Sequence, residues 1–273
     1  MIRAAHCGAK PHTNDVYNWN KSSKKYPKKI LDIVSYQHYL TSVFFTLKKQ
    51  MSQYCYTHAR PAITTDIVFF TIREGELKLL LVKRKGAPFK GKWALPGGFV
   101  EEDECLEDGA LRELEEETGV TGVYLEQLYT FGEPKRDPRD RVISVAYYAL
   151  AASDMIELRA ATDAEAVDWF AFDELPTLAF DHDEIVQMAH QRLVAKLDYS
   201  TIAFQFMPGQ FTLSELQAVY ETILREALDK RNFRKWVLAL ERIEETGDER
   251  REGNHRPAKL YRAKSPGKVE IIK

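Results

Sequence analysis

Three glutamates, Glu113, Glu116 and Glu117, recur at a spacing that places their carboxylates on one face of a helix. The surrounding stretch, Leu106 to Thr118, contains no proline and one glycine, and most of its residues favour helix. Neighbouring like charges on a helix cost about 0.2–0.5 kcal/mol per pair, and a divalent cation would turn that repulsion into binding. Oxygen ligands without soft donors suit Mg²⁺ or Mn²⁺. The spacing therefore predicts a metal site formed by these three glutamates.

The alternative is an ordinary solvated acidic face, which is the usual meaning of a run of charges. Other residues favour the metal site. Arg112 lies four residues before Glu116 and can pair with it. Gly97 and Gly98 offer an open backbone entry to the helix, and Gly119 suits its C-cap.

The whole stretch from Gly98 to Val120 reads GFVEEDECLEDGALRELEEETGV and resembles the Nudix box with every fixed position retained. The resemblance implies that residues 55–198 form a Nudix α/β/α sandwich. It assigns catalytic roles to Glu104, Arg112, Glu113, Glu116 and Glu117.

Three further segments are similar to the ADP-ribose pyrophosphatase branch of this family: PFKGKWALPGGFV, the RDPRDR loop and EAVDWF. This looser resemblance implies that ADP-ribose is the ligand, with its diphosphate facing the box helix through a cation. The ligand-binding residues that we expect are Arg84, Gly97, Gly98, Phe131 and Arg136.

The elements that must position these residues are mostly strands. We predict strands at residues 66–72, 77–84, 123–131, 142–150 and 166–172, and a helix from Asp181 to about Leu197. Residues 88–98 and 132–141 are predicted loops. We expect Ala110, Leu111 and Leu114 to turn the box helix toward the core. Strands that outnumber helices indicate an α+β fold with a mixed sheet.

Charge divides the chain into three parts. Residues 1–50 carry nine Lys and Arg against two acids, residues 51–224 carry sixteen against thirty, and residues 225–273 carry fourteen against nine. An acidic middle and a basic C-terminal segment indicate two functions, one that uses cations and one that meets polyanions. The apolar runs are too short to span a bilayer, so we predict no membrane association. Cys7, Cys55 and Cys105 lack metal-site or paired spacing, and a reducing cytoplasm is expected.

The basic N-terminal segment, residues 1–54, is predicted to be a weakly ordered extension. Because the Nudix resemblance begins just after Met51, we interpret residues 1–50 as lying upstream of the natural start. The alternative is a cleaved targeting peptide, which the excess of Lys over Arg disfavours.

After residues 199–209 the composition changes to that of a small basic module. Thr212 and Glu215 resemble a capping box that opens one helix, and a second helix begins near Asp229. Residues 247–262 are predicted to form a β-hairpin with basic flanks. A helix, a second helix with a basic face and a basic hairpin together indicate a winged helix that binds DNA. The alternative is a helical extension that its charges merely keep soluble.

Two segments of this module, NFRKWVLAL and GNHRPAKLYR, resemble the C-terminal domain of the Nudix-related transcriptional regulators of NAD metabolism, the NrtR family. The resemblance implies a homodimer that binds operator DNA and responds to ADP-ribose. The DNA-binding residues that we expect are Lys230, Arg231, Asn232, Arg234, Lys235, Arg256, Lys259 and Arg262. The predicted domains are residues 55–198 (Nudix), 199–211 (linker), 212–264 (winged helix) and 265–273 (tail).

Two functions remain open at this point. The first is an ADP-ribose-responsive repressor of NAD biosynthesis or salvage genes. The second is a Mg²⁺-dependent ADP-ribose pyrophosphatase, for which Asp163 or Glu165 would supply a base from another loop. One chain could perform both, because many NrtR-like members have a degenerate box and this chain retains every position.

Overall fold

The computed structural model describes residues 58, 60–156, 164–251 and 257–272 of the chain. The predicted N-terminal extension lies outside them. The strands are β1 (Ala62–Arg73), β2 (Glu76–Arg84), β3 (Trp93–Ala94), β4 (Gly97–Phe99), β5 (Tyr124–Phe131), β6 (Val142–Leu150), β7 (Ala164–Ala171), β8 (Ile243–Arg250) and β9 (Ala258–Ala263). The helices are α1 (Leu106–Thr118), α2 (His182–Leu197), α3 (Leu213–Leu224) and α4 (Lys230–Ala239).

The first seven strands form one mixed sheet in the order β3-β2-β1-β6-β5, with β4 paired to β1 and β7 paired to β2. The central pair, β1 and β6, is parallel, and the other pairs are antiparallel. The predicted mixed sheet is confirmed. Strand β1 begins four residues earlier than predicted, because Ala62–Thr65 also pair with β6.

Both faces of this sheet are covered. Ile67 and Phe69 pack on the side of α1, whereas Val68 and Phe70 pack on the side of α2. Successive side chains of a strand point to opposite faces, so the continuous apolar run in β1 contributes side chains to two hydrophobic cores, one on each face of the sheet. The predicted α/β/α sandwich is confirmed.

The core on the side of α2 continues into the C-terminal module without a break. Ile202, Ala203 and Phe206 form a buried 3-10 turn within the predicted linker, residues 199–211. They belong to the same apolar cluster as Leu193 of α2 and Leu216 of α3. The segment joins the two modules through shared packing.

The C-terminal module is a winged helix. The side chain of Thr212 accepts a hydrogen bond from the N–H of Glu215, whose carboxylate accepts one from the N–H of Thr212, so the predicted capping box is confirmed. The hairpin begins at Ile243, four residues before the predicted start, because Ile243 is buried and opens the pairing with Ala263. Cross-strand ion pairs stabilise its charged faces.

The segment predicted as a tail, residues 265–273, makes contacts with the rest of the protein where it is described. Ile271 forms a bridge with Ser200, and the N–H of Ile272 donates to the carbonyl of Tyr199 at 2.9 Å. Val269 packs against the core that lies on the side of α2 and continues into the C-terminal module. The chain end therefore returns to the junction between the two modules. No described helix has the length and apolar character needed to cross a bilayer.

Candidate functional site

Helix α1 carries the box glutamates and is held at both ends. Cys105 caps its start by accepting a hydrogen bond from the N–H of Asp108, and Gly119 ends it with a φ of 73°, the left-handed conformation predicted for a C-cap. Ala110 and Leu114 are fully buried, as expected. Leu111 is 38% exposed, because the buried stripe follows the i, i+4 spacing of the other two residues.

Arg112 organises the carboxylates around it. Its Nε and Nη2 donate to the two oxygens of Glu104 at 3.0 and 2.7 Å, and its Nη1 donates to Glu113 at 2.8 Å and to Glu116 at 3.2 Å. The predicted pairing with Glu116 is present. The bidentate contact with Arg112 lowers the pKa of Glu104 to about 2. One guanidinium thus fixes three of the five box side chains.

The two glycines lie in β4, which faces the helix, and not at the helix entry predicted for them. The N–H of Gly97 donates to Glu117 Oε2 at 3.0 Å. A Cβ on Gly98 would lie 2.3 Å from Glu113 Oε1. Gly98 therefore leaves room for the Glu113 carboxylate, and Gly97 positions that of Glu117.

Glu117 is the most perturbed acid of the site. Burial raises its pKa to about 8, and the negative charges of Glu113 and Asp66 add to the effect. Burial also raises the pKa of Glu113, opposed by Arg112. Both glutamates are therefore destabilised in their ionised form, which a bound cation would relieve.

This perturbation predicts a pH-dependent effect of Glu117→Gln on stability. The folded-state pKa of Glu117 lies above the ~4.3 expected for unfolded glutamate, so its ionisation destabilises the fold as pH rises through this range. In chelator-treated protein we expect the variant to gain about 1–3 kcal/mol in free energy of unfolding at pH 9 and nothing at pH 4. Urea titrations measure this. Glu115→Gln, an exposed position on the same helix, is the control; a variant with no pH-dependent gain would contradict the argument.

A cation must compete with these contacts. Among the described residues no three His, Cys, Asp or Glu side chains already converge with metal-binding spacing, because Arg112 holds Glu113 and Glu116. The donor chemistry nevertheless fits: Glu113, Glu116 and Glu117 offer only oxygens, two of them on acids that burial disfavours as free anions.

A cavity of about 210 Å³ opens beside the box. Its lining includes Arg84, Gly97, Gly98 and Arg136, which the sequence predicted, and Thr64, Asp66, Leu95, Phe99, Asp137, Arg139, Phe180 and His182, which it did not. Phe131 lies outside the lining, in the core, with its ring 5.6 Å from that of Tyr129.

Three arginines, Arg84, Arg136 and Arg139, line this cavity and supply its positive charge. Arg136 is buried and pairs with Asp181 and Asp66. Arg139 pairs with Asp137 and lies over the rings of Phe99 and Phe180 at 5.3 and 5.6 Å.

Arg84 is the third cation. It donates from Nε to the carbonyl of Pro88 and lies 4.8 Å from the Phe180 ring. Its pKa is lowered by burial and by the nearby Arg139. Within the described residues no carboxylate forms an ion pair with Arg84, so its charge is available to an anionic ligand.

Of the two acids predicted as bases, Glu165 is not among the residues that line this cavity. Glu165 pairs with Lys83 at 3.4 Å and is about half exposed. Asp163 falls outside the described residues.

Two acids near the cavity, Asp66 and Asp181, were not predicted as site residues, and only Asp66 has a sequence pattern that could have indicated its role. Asp66 is the single acidic residue in the apolar strand β1, and it is 7% exposed. A buried acid needs partners, and here Ser144 Oγ donates to it at 2.5 Å while Arg136 Nη2 lies at 3.3 Å. Asp181 was predicted only as a helix cap. Nothing in the sequence indicates that its side chain meets Arg136.

The second candidate site is the outer face of α4. Phe233 and Val237 are buried, whereas the five predicted contact residues are exposed: Lys230, Arg231, Asn232, Arg234 and Lys235. Asp229 caps the helix by accepting from the N–H of Asn232 at 2.8 Å. The predicted separation of an apolar face from a basic face is confirmed, and this basic face can meet phosphates.

The wing is less freely cationic than its sequence indicated. Lys259 pairs with Glu245 at 3.0 Å, and Arg262 pairs with Glu244 at 2.6 Å. Arg256 lies outside the described residues. A phosphate would have to compete with these glutamates, so α4 offers the more available charge.

Family models match two parts of the chain: a NUDIX domain at residues 62–189 and the NrtR DNA-binding winged helix domain at residues 203–263. The ADPR responsive transcriptional repressor NtrR of Acinetobacter baylyi is 39% identical over 206 residues, covering 74% of this chain and 82% of that protein.

Two further relatives are similar to this chain, one over both domains and one over the Nudix domain. The crystal structure of Shewanella oneidensis NrtR complexed with a 27mer DNA is 38% identical, with a TM-score of 0.66 over 74% of this chain and 93% of that one. The ADP-ribose pyrophosphatase of Methanocaldococcus jannaschii is 37% identical and covers 63% of this chain and 89% of that protein. The chain belongs to the NrtR family, in which a Nudix domain is joined to a winged helix domain.

Proposed function

We propose that this protein is a transcriptional repressor that binds operator DNA through its winged helix and releases it when ADP-ribose binds the Nudix domain. The observation that carries the proposal is the exposed basic face of α4, on a domain that shares one core with a cation-lined cavity. The similar protein of Acinetobacter baylyi, which this chain matches over both domains, is named an ADPR responsive transcriptional repressor.

The chemistry of the cavity supports a nucleotide diphosphate as the ligand. Arg84 supplies a cation without a carboxylate partner among the described residues, and the carboxylates of α1 can hold a divalent cation against the diphosphate. Phe99 and Phe180 supply aromatic faces. We further propose Mg²⁺ or Mn²⁺ as the ion, held by Glu113, Glu116 and Glu117 with Glu104 and Arg112 orienting the array.

The DNA contacts follow from the position of α4 as recognition helix. Arg231, Arg234 and Lys235 would contact phosphates, and Asn232, near the helix N-terminus, would reach base edges in the major groove. We propose that two copies bind together as a homodimer. A two-fold protein requires a palindromic site.

Sequence selection from a random duplex library tests this directly. We expect the enriched sites to be palindromic, with half-sites about one helical turn, 10–10.5 base pairs, or a multiple of it apart. Sedimentation of the protein alone should give the mass of two chains. Enrichment of no motif at low salt would overturn the proposal.

Hydrolysis of ADP-ribose to AMP and ribose 5-phosphate is a second candidate function, because the box is complete and its side chains are ordered by Arg112. A relative that matches the Nudix part is named as an ADP-ribose pyrophosphatase. Metal bound there would activate water and neutralise charge on the diphosphate.

This activity has its own test. If the site is catalytic, AMP formation at millimolar Mg²⁺ will fall at least about 100-fold in Glu117→Gln, which removes a metal ligand. Turnover equal to that of the variant would exclude hydrolysis and leave sensing untouched. Glu115→Gln, exposed on the same helix, should match the parent.

A further inference from the structure

The N-terminus of α2 is tied to the cavity by its N-cap residue, Asp181, and its first residue, His182. Arg136 Nε and Nη2 donate to the two carboxylate oxygens of Asp181 at 2.8 and 2.6 Å. His182 Nδ1 accepts from the N–H of Leu95 at 2.9 Å, and its Nε2 lies 3.5 Å from Asp66 Oδ1. Asp181 occupies the N-cap position of α2, yet its side chain makes no capping hydrogen bond, because both its oxygens are engaged by Arg136.

The same helix contacts the DNA-binding domain further along. The ring of His190 in α2 stacks on that of Phe172, with 4.3 Å between the ring centroids, and it lies beside the backbone of Ile223 in α3. Leu193 and Leu197 of α2 share a core with the winged helix. One rigid element therefore runs from the ligand cavity to the support of the recognition helix.

The cavity is small for a ligand of the size of ADP-ribose. Its ~210 Å³ is below the roughly 300–1,000 Å³ of typical small-molecule sites. Arg136 is the cavity cation most enclosed by acids, with its side chain 4% exposed between Asp181 and Asp66. A diphosphate is the chemical group that can compete with those carboxylates for a guanidinium.

We propose that Arg136 is the residue through which ligand binding is transmitted, by exchanging Asp181 for the ligand's diphosphate. The exchange frees the Asp181 carboxylate to turn toward the N–H groups in the first turn of its own helix, where an N-cap side chain normally accepts. The Asp181–Arg136 pair holds α2 in the DNA-competent position, and loss of the pair releases it. This inference rests on the proposed function and specifies how its two sites communicate.

Linkage gives the exchange a distinctive signature. A change that breaks the pair without the ligand favours the state that the ligand prefers, so it must weaken DNA binding and strengthen ligand binding. Asp181→Asn is such a change, because it removes the charge and retains the shape. A merely structural role would weaken both.

The test compares DNA affinity, by fluorescence anisotropy, with ADP-ribose affinity, by calorimetry, for full-length protein. For Asp181→Asn we expect ligand-free DNA affinity to fall about 10-fold, ADP-ribose affinity to rise about as much, and added ADP-ribose to change DNA binding less than 2-fold. Arg136→Gln should show the same DNA defect but lose ADP-ribose affinity, because it removes the arginine from both states.

Asp183→Asn is the matched control, since it removes the same charge from an exposed position in the first turn of α2. It should behave as the parent protein. Parent-like DNA and ligand affinities in Asp181→Asn, or a loss of both, would overturn the exchange. If the parent protein bound DNA equally with and without ADP-ribose, the proposed function itself would fail, which is a separate result.

Discussion

Reversing the charge of two arginines on the proposed recognition helix α4, in Arg231→Glu with Arg234→Glu, will lower DNA affinity at least about 100-fold. Both side chains are exposed on the face of α4 opposite Phe233 and Val237. In a dimer the change places four negative charges where four phosphate contacts are expected. It should also reduce the slope of log affinity against log salt by about four.

The result is specific if the fold and the sensor are unaffected. ADP-ribose affinity and the thermal midpoint should match the parent, because neither arginine touches the apolar core. Lys90→Glu with Lys135→Glu, two exposed positions of the Nudix domain, changes the net charge equally and should lower DNA affinity less than about 5-fold. Equal losses in both double variants would indicate nonspecific charge repulsion instead of a recognition helix.

Replacement of Gly97 by alanine is expected to cost about 4 kcal/mol of stability. Its φ is 148°, and a Cβ there would lie 2.0 Å from the carbonyl oxygen of Thr65 in β1. The unfavourable φ and the overlap with Thr65 both involve the backbone, which cannot move aside as a side chain can. The strained conformation costs about 1–3 kcal/mol, and the overlap costs about the same again. Since a domain has only about 5–15 kcal/mol in total, the variant should lose between about a quarter and four fifths of its free energy of unfolding.

Two neighbouring substitutions separate this effect from loss of glycine as such. Gly86→Ala meets nothing within 4 Å and should be neutral in urea unfolding. In Gly98→Ala the three atoms nearest the new Cβ all belong to the Glu113 carboxylate, the end of a flexible side chain, so the variant should stay folded and lose metal-dependent ligand binding. A Gly97→Ala protein as stable as Gly86→Ala would show that β4 does not approach β1 so closely.

Local spacing explains why much of both sites could be predicted. The reach of Arg112 to Glu116 is a one-turn relation on a helix, and the basic and apolar faces of α4 follow from helical periodicity. The capping box at Thr212 is likewise a local pattern. Each of these features is encoded within a dozen residues, so tertiary packing had little opportunity to change it.

The contacts that complete the cavity are not local. Arg136 meets Asp66 and Asp181 only because the parallel pairing of β1 with β6 and the docking of α2 bring three distant segments together. The segment around Ile202 was predicted to be a linker because a single 3-10 turn is too short to show periodicity. Its burial could be recognised only once the shared core was known.

The Arg136 contacts complete the nucleotide site, and the core around Ile202 joins the Nudix domain to the winged helix. We therefore propose that the nucleotide site and the DNA site are coupled. The direct measurement is titration of a labelled operator duplex with the protein, with and without saturating ADP-ribose and Mg²⁺. We predict that the ligand raises the Kd for DNA by about 10–100-fold, a coupling free energy of about 1.4–2.7 kcal/mol. An unchanged Kd, under conditions where calorimetry shows the nucleotide bound, would contradict this account.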